Sequence, residues 1–96
     1  MRTFEKSRFA IEIFDEKMLE LIALRMDEVE VIGAHKKQKG LPVKDVLRER
    51  RIINALVKKG ESLGLEETFV KNLYTLIINH SCALQEIQHK GSQHVT

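Results

Sequence analysis

Between Thr3 and Lys39 the sequence contains no proline, and its one glycine, Gly33, does not interrupt the helical spacing of the apolar residues around it. The segment reads as a single helix of about 35 residues. Such a rod is about 52 Å long at about 1.5 Å per residue, whereas a compact domain of this size has a radius of gyration of about 13 Å. The helix must therefore overhang whatever core the rest of the chain builds. Its projecting apolar turns need cover, and a twofold dimer with two such helices antiparallel is the commonest solution. Size argues the same way, because a single domain of 96 residues buries only about 60 to 65% of its unfolded surface. A homodimer is expected.

Gly40, Leu41 and Pro42 end the first helix, since proline lacks an amide donor and biases its predecessor out of the helical region. A second helix is expected from about Val43 or Asp45 to Ser62, with Asp45 as cap and Asp45, Glu49, Ile52, Leu56 and Leu63 on its inner face. Gly64 suits a helix C-terminal cap, and Glu66 and Glu67 suit the first turn of a third helix running to about His89. The apolar face of that helix includes Val70, Leu73, Tyr74, Ile77, Leu84 and Ile87, and it carries Ser81 and Gln85 on the same side. The expected fold is all-α, three helices per chain, one long and two shorter. Residues 1–90 form the domain and residues 91–96 a flexible tail.

The bulk properties exclude several classes. A hydrophobic share of 43% with no Ser, Gly or Pro tract argues for a packed globule. The net charge of +2, from 16 basic and 14 acidic residues, is too balanced for wrapping a polyanion. No stretch has the 18 or so uninterrupted apolar residues of a membrane span, and the N-terminus lacks a signal-peptide core, so a cytoplasmic protein is expected. The lone Cys82 has no intrachain disulfide partner, and His35, His80, His89 and His94 lack the spacing of a zinc site. Cys82 reads as a small buried or half-buried residue, and neither metal nor redox cofactor is expected.

The informative feature is charge on apolar faces. Alternate steps of four and three from Phe4 pick out Phe4, Arg8, Ile11, Asp15, Met18, Ile22, Arg25, Val29, Ile32 and Lys36, a heptad-like seam. Buried charge is unfavourable without a partner, so these cations either pair with acids, snorkel to water or line an anion site. Arg25 and Lys36 are 11 residues apart, a rotation of about 20° and a rise of about 16 Å, so both can reach one ligand between them. Arg8 lies 17 residues before Arg25, about 25 Å along the helix, and can join that site only from a second, antiparallel chain. Arg48 and Glu49 follow just after the loop beyond Lys36. Taken singly, an Arg-Glu pair, a capping Asp45 and a Ser81/Gln85 pair are ordinary structural features.

Together their order resembles the small all-helical class of chorismate mutases, the chorismate mutase type II family, over nearly the whole chain. Arg8-x6-Asp15-Glu16-Lys17-x-Leu19-x-Leu21-Ile22-x2-Arg25 is similar to that family's first helix, with Lys36 where its lysine is expected. The segment from Pro42 to Arg50 resembles its loop and second helix, and Leu76-Ile77-Ile78-x2-Ser81-x3-Gln85 its closing motif. The resemblance implies an intertwined homodimer of three-helix chains, each site completed by Arg8 of the other chain. It implies rearrangement of chorismate, a dicarboxylate, to prephenate in aromatic amino acid (Phe/Tyr) biosynthesis, with no nucleophile and no covalent intermediate. By position, Arg8 and Arg25 would hold the carboxylates with Arg48 and Ser81 in support. Lys36 and Gln85 would donate to the ether oxygen, and Glu49 and the backbone near Asp45 would accept from the ring hydroxyl. Because Gln85 is an amide, no acidic pH would be required.

Two rivals remain at this level. An isochorismate pyruvate lyase on the same scaffold shares the cations, although Asp45, Arg48 and Glu49 look more like the mutase pattern. A helical module binding nucleic acid or protein predicts exposed Arg25 and Lys36 and steep salt dependence, against the near-neutral charge.

Overall fold

The computed structural model describes residues 3–91, which form three helices: α1 (Phe4–Lys39), α2 (Val46–Ser62) and α3 (Glu67–Gly91). Each boundary has a local cause. The Thr3 hydroxyl caps α1 by accepting from the Lys6 amide at 3.2 Å. Gly40 ends it in the left-handed region at φ 67°, its N–H turned back to the Lys36 and Lys37 carbonyls. Asp45 is the cap of α2 and not its first turn, since its carboxylate accepts from the Arg48 amide at 3.1 Å. Val43 to Asp45 therefore belong to the connecting loop, with the Val43 side chain buried. Gly64, at φ 80°, supplies the second left-handed turn. Gly91, expected to open the tail, is the last residue of α3, and the remainder of that tail lies outside the described residues.

α2 and α3 form an antiparallel hairpin: Gly60 lies against Val70 near the turn, and Glu49 meets Cys82 at the open end. The C-terminal half of α1 lies on the C-terminal half of α3, and the two run in the same sense, Arg25 meeting Ser81, Val29 meeting Gln85 and Gly33 meeting Gln88. α3 is thus the shared wall, and α1 and α2 approach one another only around the cavity described below. Gly33 permits the α1–α3 approach, because a Cβ there would run into Gln88 Oε1 and come within 3.0 Å of Gln85 Cγ.

The buried apolar residues are Val29, Val43, Val57, Val70 and Ile78, and no large side chain among the described residues is fully buried. Two expected faces shift. On α3, Leu84 and Ile87 are exposed and Ile78 is buried in their stead, because contact with both α1 and α2 centres the stripe on residues 70, 74, 78, 81 and 85. On α2, Leu63 is exposed at the C-cap, and the inner face closes with Val57 and Gly60.

α1 overhangs as its length requires. The described chain measures 62 × 28 × 16 Å with a radius of gyration of 17.3 Å, against about 13 Å for a compact domain of this size. Through its N-terminal half Phe4, Phe9, Ile11, Phe14, Met18, Leu19, Leu21 and Leu24 are all more than half exposed. They lie on every side of the helix, a pattern that belongs to helices surrounded by other elements. Among the described residues no helix is long and apolar enough to cross a membrane.

Candidate active site

Where the three helices meet, a cavity of about 130 Å³ is lined by Arg25, Val29, Ile32 and Lys36 of α1, Val43 and Asp45 of the loop and its cap, Arg48, Glu49 and Ile52 of α2, and Ile78, Ser81, Cys82 and Gln85 of α3. Seven of the eight residues singled out from sequence are in this set; the eighth, Arg8, is not. Arg8 lies on the exposed overhang with its guanidinium 4.4 Å from the centre of the Phe4 ring.

Helical spacing explains the convergence. Arg25, Val29, Ile32 and Lys36 are one stripe of α1, and Ile78, Ser81, Cys82 and Gln85 are the facing stripe of α3. The polar groups are held by one another. Arg25 Nη1 donates to Ser81 Oγ at 2.7 Å, while the Ser81 hydroxyl donates back to the Ile77 carbonyl at 2.9 Å. With its hydrogen on Ile77, the shorter of two acceptors within reach, the hydroxyl turns an oxygen lone pair toward the guanidinium. Lys36 Nζ donates to the Val43 carbonyl at 2.7 Å and to Gln85 Oε1 at 3.3 Å, tying the loop to both helices. Gln85, only 5% exposed, donates from Nε2 to the Val29 carbonyl at 2.9 Å. With Oε1 toward Lys36 and one Nε2 hydrogen on Val29, one amide hydrogen remains.

The far wall carries the acids. Asp45 is engaged as a helix cap, and the half-buried Glu49 has Lys44 Nζ 3.3 Å from Oε2 and the Cys82 thiol donating to Oε1 at 3.5 Å. Burial, together with the Glu49 carboxylate beside it, pushes the Cys82 thiol above its ordinary value, so it stays protonated and can donate. Cys82 and Lys44 are the polar groups here that sequence reasoning did not assign. For Cys82 a signal existed, since Ile78, Cys82 and Gln85 share one helical face at steps of four and three. The Lys44 contact depends on the path of the loop, which no periodicity reports.

Arg25, Lys36 and Arg48 put three cations around this small cavity, with Glu49 already paired to a fourth. The arrangement suits a small anion with more than one acidic group and a neutral polar substituent. A larger cavity of about 280 Å³, on the other side of Gln85, is lined by Met26, Asp27, Val29, Glu30, Leu84, Gln85, Ile87 and Gln88 and contains no cation. Arg25 and Lys36 are half-buried and bonded inward, contrary to what a nucleic-acid surface needs.

The family profile for chorismate mutase type II matches residues 7–86. The chain belongs to the chorismate mutase type II family. The matched span includes all eight residues considered above, Arg8 among them. Among similar proteins, a chorismate mutase of Methanocaldococcus jannaschii is 30% identical over 82% of this chain and 80% of its own length. A bifunctional chorismate mutase/prephenate dehydratase of Escherichia coli K12 is 33% identical over 82% of this chain, which spans only 20% of that relative. A 4-amino-4-deoxychorismate mutase of Streptomyces venezuelae is 24% identical over 86% of the chain and 81% of the relative. The chain thus matches one relative over most of that relative's length and another over only a fifth of it.

Proposed function

We propose that this chain is a chorismate mutase, an isomerase converting chorismate to prephenate in aromatic amino acid (Phe/Tyr) biosynthesis. The observation that carries the reading is the convergence of Arg25, Lys36, Asp45, Arg48, Glu49, Ser81 and Gln85, from all three helices and the loop before α2, on one cavity, in a chain of this family. The E. coli relative, whose name joins the mutase to prephenate dehydratase, supports the biosynthetic context.

The reaction breaks an ether C–O bond as a C–C bond forms within one molecule, so it needs neither nucleophile nor general base. What helps is a fixed reactive conformer and donors aimed at the oxygen that gains negative charge. Lys36 is that donor, held in register by Val43 and Gln85, and the remaining Gln85 amide hydrogen is the second. Arg25, fixed by Ser81, binds one carboxylate, and Arg48 lies close enough around the cavity to support it. Glu49 and the backbone at Asp45 accept from the ring hydroxyl. The second carboxylate falls to Arg8 of another copy in an intertwined homodimer. The exposed apolar overhang and the lack of any fully buried large side chain among the described residues support that pairing.

The test follows loss of chorismate absorbance with purified protein and identifies the product. Prephenate is expected, at a rate that does not require pH below about 5, because Gln85 donates without being protonated. Supplying isochorismate and finding salicylate and pyruvate instead would replace the reading with a lyase.

A further inference from the structure

The ring-substituent side of the cavity is built around Glu49, and that carboxylate is not a free anion. Lys44 Nζ straddles it, 3.3 Å from Oε2 and 3.5 Å from Oε1, and the Cys82 thiol donates to Oε1. Lys44 comes from the loop whose neighbour Val43 is held by Lys36, so the ammonium sits on a segment anchored at the site. A carboxylate accepts about four hydrogen bonds, so room remains for one more donor, but its charge is already balanced.

Resting on the mutase reading above, we infer that Lys44 is a specificity-determining residue, which makes Glu49 a receptor for a neutral hydroxyl and disfavours a cationic ammonium at the same ring position. A hydroxyl can donate to Glu49 with no penalty from Lys44. An ammonium brings a second cation to a carboxylate that already has one, within a few ångströms of it, in a half-buried wall where screening is weaker than in water. The distinction is chemically concrete, since the S. venezuelae relative is named for a 4-amino-4-deoxychorismate substrate. Because Lys44 is itself 56% exposed, the discrimination from this one pair is about 3- to 10-fold and not larger.

The experiment measures the KM for chorismate and the inhibition constant of 4-amino-4-deoxychorismate against chorismate turnover, in the wild type, Lys44→Met and Lys44→Arg. Methionine keeps the length and removes the charge, and the exposed site makes folding insensitive to it. The ratio of inhibition constant to KM should fall about 3- to 10-fold in Lys44→Met and stay at the wild-type value in Lys44→Arg. A ratio unchanged in Lys44→Met, or equally lowered in Lys44→Arg, overturns the inference while leaving the mutase reading intact. A wild type that binds the amino compound better than chorismate overturns it too. Failure of the wild type to convert chorismate removes the mutase reading and this inference with it.

Discussion

The two halves of α1 have opposite environments. From Arg25 to Lys39 the helix lies on α3, buries Val29 and Gly33, and turns its seam charges into the cavity. From Phe4 to Leu24 the same seam continues with no buried residue, and Phe4, Ile11 and Met18 are 70, 56 and 52% exposed. One half is a finished wall of a site. The other carries the sequence character of a wall, apolar residues with an arginine set among them, but no facing element among the described residues. A heptad-like seam that runs unbroken across both halves therefore points to the same kind of packing twice, once within the chain and once between copies.

The largest test of this contrast removes the cation that defines the finished half. Lys36→Ala should lower turnover about 100- to 1,000-fold, with mass and helical content unchanged. Wild-type turnover in that variant would mean that the cavity is not where the reaction occurs. On the overhanging half, Met18→Asp puts a charge where a second helix is expected. Light scattering should show roughly half the wild-type mass at micromolar concentration, with activity lost in parallel. An unchanged mass would mean that this half is covered by something else.

Smaller effects sharpen the description of the finished half. Gly33→Ala improves helix propensity by up to about 1 kcal/mol, but the new Cβ meets Gln88 Oε1 and lies 3.0 Å from Gln85 Cγ. The Gln88 terminus can rotate away; the Gln85 Cγ cannot, because its amide is held by Val29 and Lys36. Overpacking of about 1 to 3 kcal/mol then wins, for a net loss of about 1 kcal/mol in urea unfolding. A stabilised variant would show that the α1–α3 approach is looser than described. The smallest effect concerns Cys82 on the opposite wall. Its folded-state pKa is raised, so its contribution to stability is full below the ordinary thiol value and is lost as pH rises through the raised one. The urea midpoint of the wild type should therefore fall more steeply with alkaline pH than that of Cys82→Ala.

Most of the fold was legible because its punctuation is chemical. Gly40 with Pro42, Asp45 as a cap and Gly64 each do locally what their side chains or lack of them allow, and the helix ends fall within three residues of expectation. The inner faces were less legible. Leu84 and Ile87 look as apolar as Ile78, and only the angle at which α3 meets two neighbours decides which is covered. The same applies to the cavity. Arg25, Lys36, Ser81 and Gln85 stand out as polar groups on apolar stripes, whereas Cys82 passes as an ordinary small core residue and Lys44 as a solvated loop charge. The Cys82 contact with Glu49 depends on how closely α2 and α3 approach, which is set at the far end by Gly60 against Val70, and the Lys44 contact depends on the path of the loop.

The claim that each site is shared between copies is tested most directly by mixing two defective variants. Arg8→Ala and Lys36→Ala, each unfolded and then refolded together, pair at random. In a mixed dimer one site receives intact Arg8 from the Lys36→Ala chain and intact Lys36 from the other. About half of the dimers are mixed and one of their two sites is whole, so about a quarter of wild-type activity should return. Activity no greater than the sum of the two variants refolded separately would show that Arg8 serves its own chain or no site at all.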